Sequence, residues 1–317
     1  MNEPIYLPMA RSALDRDYLS RKLEDLYGQL DSDAQTKVLP IYKGKVLLVE
    51  GTDSHKPQLR LFETSQIPST TYLAYLGKAT GGHELEVGTS VVLAVIDADL
   101  AFSLEPSTDN WQVLRRTGAG LSDLGVGLYA QALALSNWHE NHDHCPKCGS
   151  KTEIIQSGWV RRCPKDDTEL YPRTDPAIIC SVIDHDDRIL LGSQGVWEEN
   201  RWSILAGFVE PGESLEAAVV REMYEESGLE VVNPVYLGSQ AWPFPYSLMV
   251  GYAARLAPGS DGVLIPDGEE IEKLRWFSKE DIAREATSLL LPGKLTISRA
   301  LIEHWYGSEI TSASELN

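Results

Sequence analysis

Residues 207–229 read Gly-Phe-Val-Glu-Pro-Gly-Glu-Ser-Leu-Glu-Ala-Ala-Val-Val-Arg-Glu-Met-Tyr-Glu-Glu-Ser-Gly-Leu. They match the pattern G-x5-E-x7-R-E-U-x-E-E-x-G-U, where U is a bulky apolar residue. Every fixed position is filled: Gly207, Glu213, Arg221, Glu222, Glu225, Glu226 and Gly228. Seven such matches at one given start arise by chance on the order of 10⁻⁸ or less of the time, so coincidence is excluded.

The spacing carries chemistry. Leu215, Ala218, Val219 and Met223 recur at helical intervals, which predicts an amphipathic helix over 215–226. Ser214 is placed to cap it, and Glu216 falls in the first turn, where acidic charge is favoured. Glu222, Glu225 and Glu226 project from neighbouring positions and repel one another unless a cation intervenes. Hard oxygen ligands of this kind suit Mg²⁺ or Mn²⁺, which can position and acidify a water. Arg221 and Glu225, four apart, can pair. A bare E-x-x-E-E on a helix is usually a solvated acidic face. Inside the full 23-residue pattern it reads as a metal site.

This pattern is the Nudix box, so the chain resembles the Nudix hydrolases, which cleave a nucleoside diphosphate linked to another moiety. Residues 239–247, Ser-Gln-Ala-Trp-Pro-Phe-Pro-Tyr-Ser, narrow the choice. They resemble the S-Q-P-W-P-F-P-x-S signature of the NAD(H) diphosphatase branch, with Ala241 where proline is usual. Pro243 and Pro245 fix the backbone around Phe244, which predicts a stiff, extended segment rather than a central strand. Trp242, Phe244 and Tyr246 on it suit stacking on adenine or nicotinamide, and Gln240 and Ser247 add hydrogen-bonding groups.

Four cysteines are present, Cys145, Cys148, Cys163 and Cys180. Cys-Pro-Lys-Cys-Gly at 145–149 is a zinc knuckle, and Cys-Pro-Lys-Asp at 163–166 puts Asp166 in the fourth place. Three thiolates and one carboxylate are an allowed zinc set; Asp167, His142 and His144 are alternative fourth ligands. Cys180, inside the apolar run 177–183, reads as a buried small hydrophobe. The NAD(H) diphosphatases also carry a zinc ribbon before the Nudix domain, usually with four cysteines.

The 317 residues are 43% hydrophobic, enough for two cores and a small insert. No apolar run approaches a membrane span. The start, Met-Asn-Glu-Pro-Ile-Tyr, lacks a signal-peptide pattern, and a zinc knuckle fits a reducing compartment, so a cytoplasmic enzyme is expected. The net charge of −19 argues against strong nonspecific binding to nucleic acid or anionic membrane. It also means that an anionic substrate needs cations at the site.

The expected organisation is an N-terminal domain over 1–140, a ribbon over 141–172, a catalytic domain over 173–307 and a disordered tail over 308–317. Leucine spacing predicts a helix over 11–30. Strands are predicted at 38–42 and 46–50, as a hairpin around Lys43-Gly44, and at 58–62, 71–75 and 90–96. A core helix is predicted over 123–138. A hairpin is predicted across Asp186-Asp187, with later strands at 248–256 and 263–265 and helices at 279–286 and 294–306. No catalytic constellation stands in 1–140.

The resemblance implies an α/β (α+β) architecture: a Nudix α/β/α sandwich with a mixed sheet, preceded by the ribbon and a degenerate Nudix-like N-terminal domain. It implies Mg²⁺ or Mn²⁺ ligation by Glu222, Glu226 and the carbonyl of Ala206. Glu225 is a further ligand or the base. Glu270 is the expected late acidic ligand, with Glu269 and Glu272 as competitors. Tyr171 and Phe208 match aromatic positions near the nicotinamide, Gln240 to Ser247 match the substrate segment, and Ser298 matches a small residue beside the substrate. Gly158 stands where some members carry a contact glutamate. The implied reaction splits NADH or NAD⁺ into nicotinamide mononucleotide and AMP, with removal of NAD caps from RNA 5′ ends as a further implied activity. Members are typically homodimers. The alternatives are a hydrolase of ADP-ribose or another dinucleotide, and a non-catalytic nucleotide sensor. A sensor is expected to have eroded glutamates, and here all are present.

Overall fold

Lys43 and Gly44 both take positive φ, 50° and 72°, and Tyr42 and Lys45 exchange backbone hydrogen bonds across them at 3.0 Å. The predicted hairpin is therefore present in the computed structural model, which describes residues 5–51, 56–81 and 84–315. Among these residues the contacts form two units. One comprises 9–174 with 242–246, the other 5–8, 175–241 and 247–315.

The first unit contains strands β1 (Leu14–Asp15), β2 (Lys37–Ile41), β3 (Lys45–Glu50), β4 (Pro57–Leu59), β5 (Phe62–Glu63), β6 (Tyr72–Ala79), β7 (Ser90–Val95) and β8 (Trp111–Val113). Its helices are α1 (Leu26–Ser32), α2 (Ala98–Leu104), α3 (Leu114–Thr117) and α4 (Asp123–Asn141). The main sheet runs β1-β6-β7-β2-β5, with β2 and β7 parallel and the other pairs antiparallel. β3 leaves that sheet to pair with β4 and β8. The helix predicted over 11–30 is not formed: only α1 is α-helical there. Leu14 is instead drawn into pairing with Ala79, Asp17 turns the chain at φ 39°, and Leu19 and Leu23 are exposed. Strand pairing outweighs the leucine periodicity.

The ribbon consists of β9 (Glu153–Ile155), β10 (Val160–Arg162) and β11 (Glu169–Leu170), an antiparallel sheet in the order β11-β10-β9. It joins the N-terminal residues in one unit rather than standing apart, because α4 is hydrogen-bonded into it. Buried His139 lies 2.8 Å from the Gly158 carbonyl through Nε2, and Arg161 donates to its Nδ1 at 2.9 Å. Arg161 also donates to the side chain and carbonyl of Thr152. Gly158 has φ +89°, and a Cβ there would fall 2.2 Å from the Leu73 carbonyl oxygen. Close backbone approach accounts for the glycine.

The second unit contains β12 (Asp175–Ile183), β13 (Ile189–Ser193), β14 (Leu205–Phe208), β15 (Val231–Trp242), β16 (Ser247–Leu256) and β17 (Lys273–Phe277). Its helices are α5 (Leu215–Ser227), α6 (Lys279–Glu285) and α7 (Ile297–Tyr306). The sheet order is β15-β16-β12-β13-β17, with β14 also on β12 and only β12–β16 parallel among the registered pairs. From Ala177 to Ile183, β12 is buried and apolar apart from Ser181, because both faces of that stretch are covered. Ile178, Cys180 and Val182 pack with Ala218, Val219 and Met223 of α5. Ile179 and Ile183 pack with Ile282, Ile297, Leu301 and Ile302 of α6 and α7. The result is the expected α/β/α sandwich, and Cys180 is a core residue.

Each unit uses the same pairing scheme. β2 corresponds to β12, β3 to β13, β5 to β14, β6 and β7 to β15 and β16, and β8 to β17. The difference lies between the third and fourth members. In the second unit that connection contains α5; in the first it holds only two 3-10 turns, Thr64–Gln66 and Ser69–Thr71. Residues 263–265 are loop rather than the predicted strand.

The chain ends also differ from expectation. Ile5 donates to the Leu237 carbonyl at 3.3 Å, and Leu7 is buried, so the first described residues belong with the second unit. The tail expected to be disordered packs through Glu315; residues 316–317 lie outside the described residues. Buried Arg299 holds it, donating to Ile310 O, Ser312 Oγ and Glu315, while Ile310 and Ala313 are buried. A small polar composition concealed this because the holding cation sits in α7.

Burial lowers the His139 pKa to about 4, with Arg161's charge acting in the same direction. The unfolded reference is about 6.5, so the stabilisation from neutral His139 is present above that and is lost as pH falls through 4. The wild type should lose up to about 3 kcal/mol over this window from this group. The His139→Gln variant should be less stable at neutral pH but should lack that component. Denaturant unfolding of both proteins from pH 7 to 4 checks it; parallel profiles would contradict it.

Candidate functional site

Helix α5 begins where Ser214 Oγ accepts the Ala217 N–H at 3.1 Å, and ends at Gly228, whose φ of 71° suits glycine. Its apolar stripe faces β12, which leaves the acidic positions along the loop that follows β14. Arg221 ties the two together. Its Nε and Nη2 donate to both oxygens of Glu213, each at 2.9 Å. Its Nη1 donates to Glu222 at 2.8 Å and Glu225 at 2.9 Å, and Nη2 also reaches the Phe208 carbonyl at 2.9 Å. Glu213 in turn accepts the Glu210 N–H at 3.1 Å and is held below the usual carboxylate range by Arg221. The planar guanidinium fork is what makes this possible.

Gly207 explains the close approach. A Cβ at this position would lie 1.9 to 2.3 Å from the Glu222 carboxylate. The missing side chain is the space that Glu222 occupies. Glu226 is 5% exposed, and its Oε2 is buried with no hydrogen-bond partner. Burial pushes its pKa up to about 8, and the charges of Glu222, Glu270, Asp267 and Glu225 add to the rise. Burial also raises Glu222, against the pull of Arg221. A buried, unpartnered carboxylate among like charges is costly unless a cation joins it. The donor set, carboxylate oxygens from α5 and the 267–271 loop, fits Mg²⁺ or Mn²⁺. Ala206 lies in β14, opposite Ile179 and directly before Gly207.

The charge of Glu270 acts on both Glu222 and Glu226, and that of Asp267 on Glu226. Glu272 instead lies against Gly195. Asp267, absent from the sequence reading, organises that loop. Spacing held no signal for it, because its contacts are to backbone N–H groups.

The expected substrate residues divide between the units. Phe208, Gln240, Ala241, Ser247 and Ser298 lie in the second, Tyr171 and 242–246 in the first. Phe208 and Tyr171 are exposed. Gln240 is buried and its Nε2 donates to the Leu295 carbonyl at 3.1 Å. Ser298 is buried beside Ser203 Oγ at 2.9 Å and accepts the Ile204 N–H at 3.3 Å. The side chains of Gln240 and Ser298 are thus engaged inside their unit.

The aromatic segment is a turn, not the extended stretch expected. β15 runs to Trp242, Pro243 to Tyr246 turn, and β16 starts at Ser247; the Phe244–Pro245 peptide is cis. The prolines sit in the hairpin connection, where no ladder N–H is required. Asn137 of α4 donates to the Pro243 carbonyl at 3.0 Å and its own carbonyl accepts from Tyr246. Trp242 and Phe244 meet edge to face at 4.8 Å, with the Arg115 guanidinium 5.2 and 4.3 Å from their ring centroids. Arg115 was not legible in the sequence, since nothing near it forms a motif.

The ribbon holds a second donor cluster. Ligand atoms of Cys145, Cys148, Cys163 and Asp166 all lie within 4.8 Å of one another. Two matching turns create it: Gly149 N–H donates to the Cys145 carbonyl at 2.9 Å, and Asp167 N–H to the Cys163 carbonyl at 3.0 Å. Gly149 and Asp167 hold the equivalent positive-φ places, 71° and 55°. Of the alternative fourth ligands, Asp167 serves this turn, His142 packs on Tyr246, and His144 pairs with Asp143. Three thiols and a carboxylate in this arrangement fit zinc.

Comparison with known proteins gives a consistent result. Residues 173–297 match the NUDIX domain, and residues 140–171 match the NADH pyrophosphatase zinc ribbon domain. The chain is 36% identical over 290 residues to the NAD-capped RNA hydrolase NudC of Mycobacterium tuberculosis, spanning 87% of this chain and 85% of that protein. It is 38% identical over 199 residues to the human NAD-capped RNA hydrolase NUDT12, spanning 58% of this chain and 42% of that one. Among solved structures, a NUDIX hydrolase from Nitrosomonas europaea matches 53% of this chain at 21% identity and a TM-score of 0.41.

Two outcomes follow from the geometry. Gly207→Ala should fold, because only the end of the Glu222 side chain must move, but its Mn²⁺ affinity should fall by roughly 10-fold or more; titration calorimetry showing unchanged affinity would contradict the close fit. Purified protein should contain about one zinc per chain, and Cys145→Ser should lose both the zinc and thermal stability. Elemental analysis beside a melting curve reads both, and an equally stable zinc-free protein would show that the cluster holds nothing.

Proposed function

Since the chain belongs to the Nudix hydrolases, in their NADH pyrophosphatase branch, we propose that it hydrolyses the diphosphate of NADH or NAD⁺ to nicotinamide mononucleotide and AMP. The observation that carries this reading is the buried, unpartnered carboxylate of Glu226 inside a complete Nudix box. A sensor that does not cleave has no need to keep so costly a group. The relatives' names, both NAD-capped RNA hydrolases, support NAD-capped RNA as a second substrate of this chain.

Glu222, Glu226, Glu270 and the Ala206 carbonyl would hold Mg²⁺ or Mn²⁺. A cation held there would supply the charge that neutralises the diphosphate and acidifies a water. Arg221 fixes Glu222 and leaves one oxygen of the half-exposed Glu225 free of it, so Glu225 is placed to accept a proton from the attacking water. Gly207 keeps the loop out of the space that Glu222 needs. In the first unit Trp242, Phe244, Tyr246 and Tyr171 offer ring faces for adenine or nicotinamide, with Arg115 as a cation beside Trp242 and Phe244; in the second, Phe208 is an exposed ring of the same kind. The side chains of Gln240 and Ser298 act indirectly in this reading, Gln240 tying β15 to the Leu295 carbonyl and Ser298 holding the chain that leads into β14.

The ribbon carries structural zinc on Cys145, Cys148, Cys163 and Asp166. The N-terminal domain is a Nudix-like copy that lacks the glutamate-bearing helix and takes no part in the chemistry. The working form is a homodimer in the cytoplasm. No described helix is long and apolar enough to cross a membrane.

The test is product analysis on NADH, NAD⁺, ADP-ribose and NAD-capped RNA, with Mg²⁺ and with Mn²⁺. NADH or NAD⁺ should be cleaved with higher kcat/KM than ADP-ribose, which lacks nicotinamide. Phe244→Ala should weaken NADH cleavage by the loss of stacking, roughly 1 to 3 kcal/mol, with a smaller effect on ADP-ribose. A higher kcat/KM for ADP-ribose would replace this reading with that of a general dinucleotide hydrolase.

A further inference from the structure

The segment between β16 and β17 has no regular secondary structure, yet it is held at several points. Ile265 N–H donates to the Ser227 carbonyl at the end of α5, at 2.9 Å. Glu272 N–H donates to the Ser193 carbonyl at the end of β13, also at 2.9 Å. Between these anchors the chain turns back, with Gly268 at φ 74° donating to the Ile271 carbonyl at 3.1 Å. One side chain closes this turn. Asp267 Oδ1 accepts the N–H groups of Glu269 at 3.0 Å, Glu270 at 3.1 Å and Ile271 at 2.8 Å. Ile271 is buried in the core beneath α5 with Ala218, Val219 and Met223, so the turn is pinned on its inner side as well. Glu270 lies between the pinned residues.

We infer that Asp267 is a positioning residue for the metal-binding carboxylates: by gathering three consecutive N–H groups on one oxygen, it fixes the turn that presents Glu270 towards Glu222 and Glu226. The inference rests on the reading of these glutamates as a divalent-cation site. Its physical basis is local. Without that oxygen the Glu269 and Glu270 donors would turn to water, the donor of buried Ile271 would lose its partner, and the turn would sample other conformations. Glu270 would then meet the cation only part of the time, and the lost affinity would reflect that fraction. Asp267 is exposed, so its removal is expected to leave the sandwich folded, which melting curves check. The Ile265–Ser227 hydrogen bond and the packing of Ile271 under α5 set this turn against the helix that carries Glu222 and Glu226.

The role separates from direct ligation by chemistry. A residue that binds through an acceptor oxygen is replaced well by asparagine, which keeps an acceptor oxygen at the same reach; a carboxylate ligand is not. The experiment measures Mn²⁺ binding to the full chain by water-proton relaxation for the wild type, Asp267→Ala, Asp267→Asn, Glu270→Gln and the Asp267→Ala/Glu270→Gln double variant. Melting curves report folding. Asp267→Ala should weaken Mn²⁺ binding by roughly 10- to 100-fold, the range found when groups that orient metal ligands are removed. Asp267→Asn should stay within about threefold of wild type. The double variant should bind about as weakly as Glu270→Gln alone, because the two act through one group. At saturating Mn²⁺ the alanine variant should recover its kcat. Unchanged affinity in Asp267→Ala, an asparagine variant as weak as alanine, or fully additive losses would each overturn the inference while leaving the metal site in place. A wild type that binds no Mn²⁺ would instead bring down the metal site itself.

Discussion

The five-fold grip of Arg221 is the interaction on which the site depends. One guanidinium spans Glu213 in the loop, Glu222 and Glu225 on the helix, and the Phe208 carbonyl at the end of β14. Without it, three acidic side chains and an irregular loop would have to be held together against mutual repulsion. With it, Glu222 and Glu225 are oriented, and Glu226 is left as the buried group without a partner. A lysine would place a point charge where a planar fork is needed. The constraint also reaches back into the sheet, because the fork can close only if Gly207 leaves room for Glu222.

The two units show what one added element does to a shared pairing scheme. Both build a sheet in which a hairpin strand runs parallel to the first long strand. In one, the connection after the short antiparallel strand becomes a thirteen-residue helix bearing four glutamates and an arginine. In the other, the same connection is two short 3-10 turns, with no platform for carboxylates. The N-terminal unit contributes instead through α4 and the ribbon. It supports the aromatic turn through Asn137 and Arg115, and binds the ribbon through His139 and Arg161.

Much of this was legible because the deciding residues lie close together in sequence. The box, the knuckle and the aromatic signature are each local, and β12, β13 and β16 are largely apolar stretches between turn residues, whereas β15, with its Asn233, Pro234 and Gly238, does not read as a strand. Asp166 as the fourth member of the cysteine cluster follows from the repeated Cys-Pro-Lys spacing. What escaped was tertiary. The leucines of 11–30 have helical spacing, but pairing with β6 takes that chain. The tail is polar in composition, but Arg299 collects its carbonyls. Pro243 and Pro245 signal stiffness but not that they close a hairpin. Arg115 and Asp267 work through a ring face and backbone N–H groups, partners that no spacing rule records.

On the proposed reading, the glutamates of α5 hold a divalent cation against the substrate diphosphate. The most direct measurement of this is single-turnover cleavage of NADH by the wild type and Glu226→Gln across a Mg²⁺ titration, with melting temperatures taken alongside. The glutamine variant should lose several orders of magnitude in rate. Its stability without metal should at the same time be equal or higher, since a buried, unpartnered carboxylate has been neutralised. A Glu226→Gln protein that cleaves NADH at the wild-type rate, with the same Mg²⁺ dependence, would contradict it.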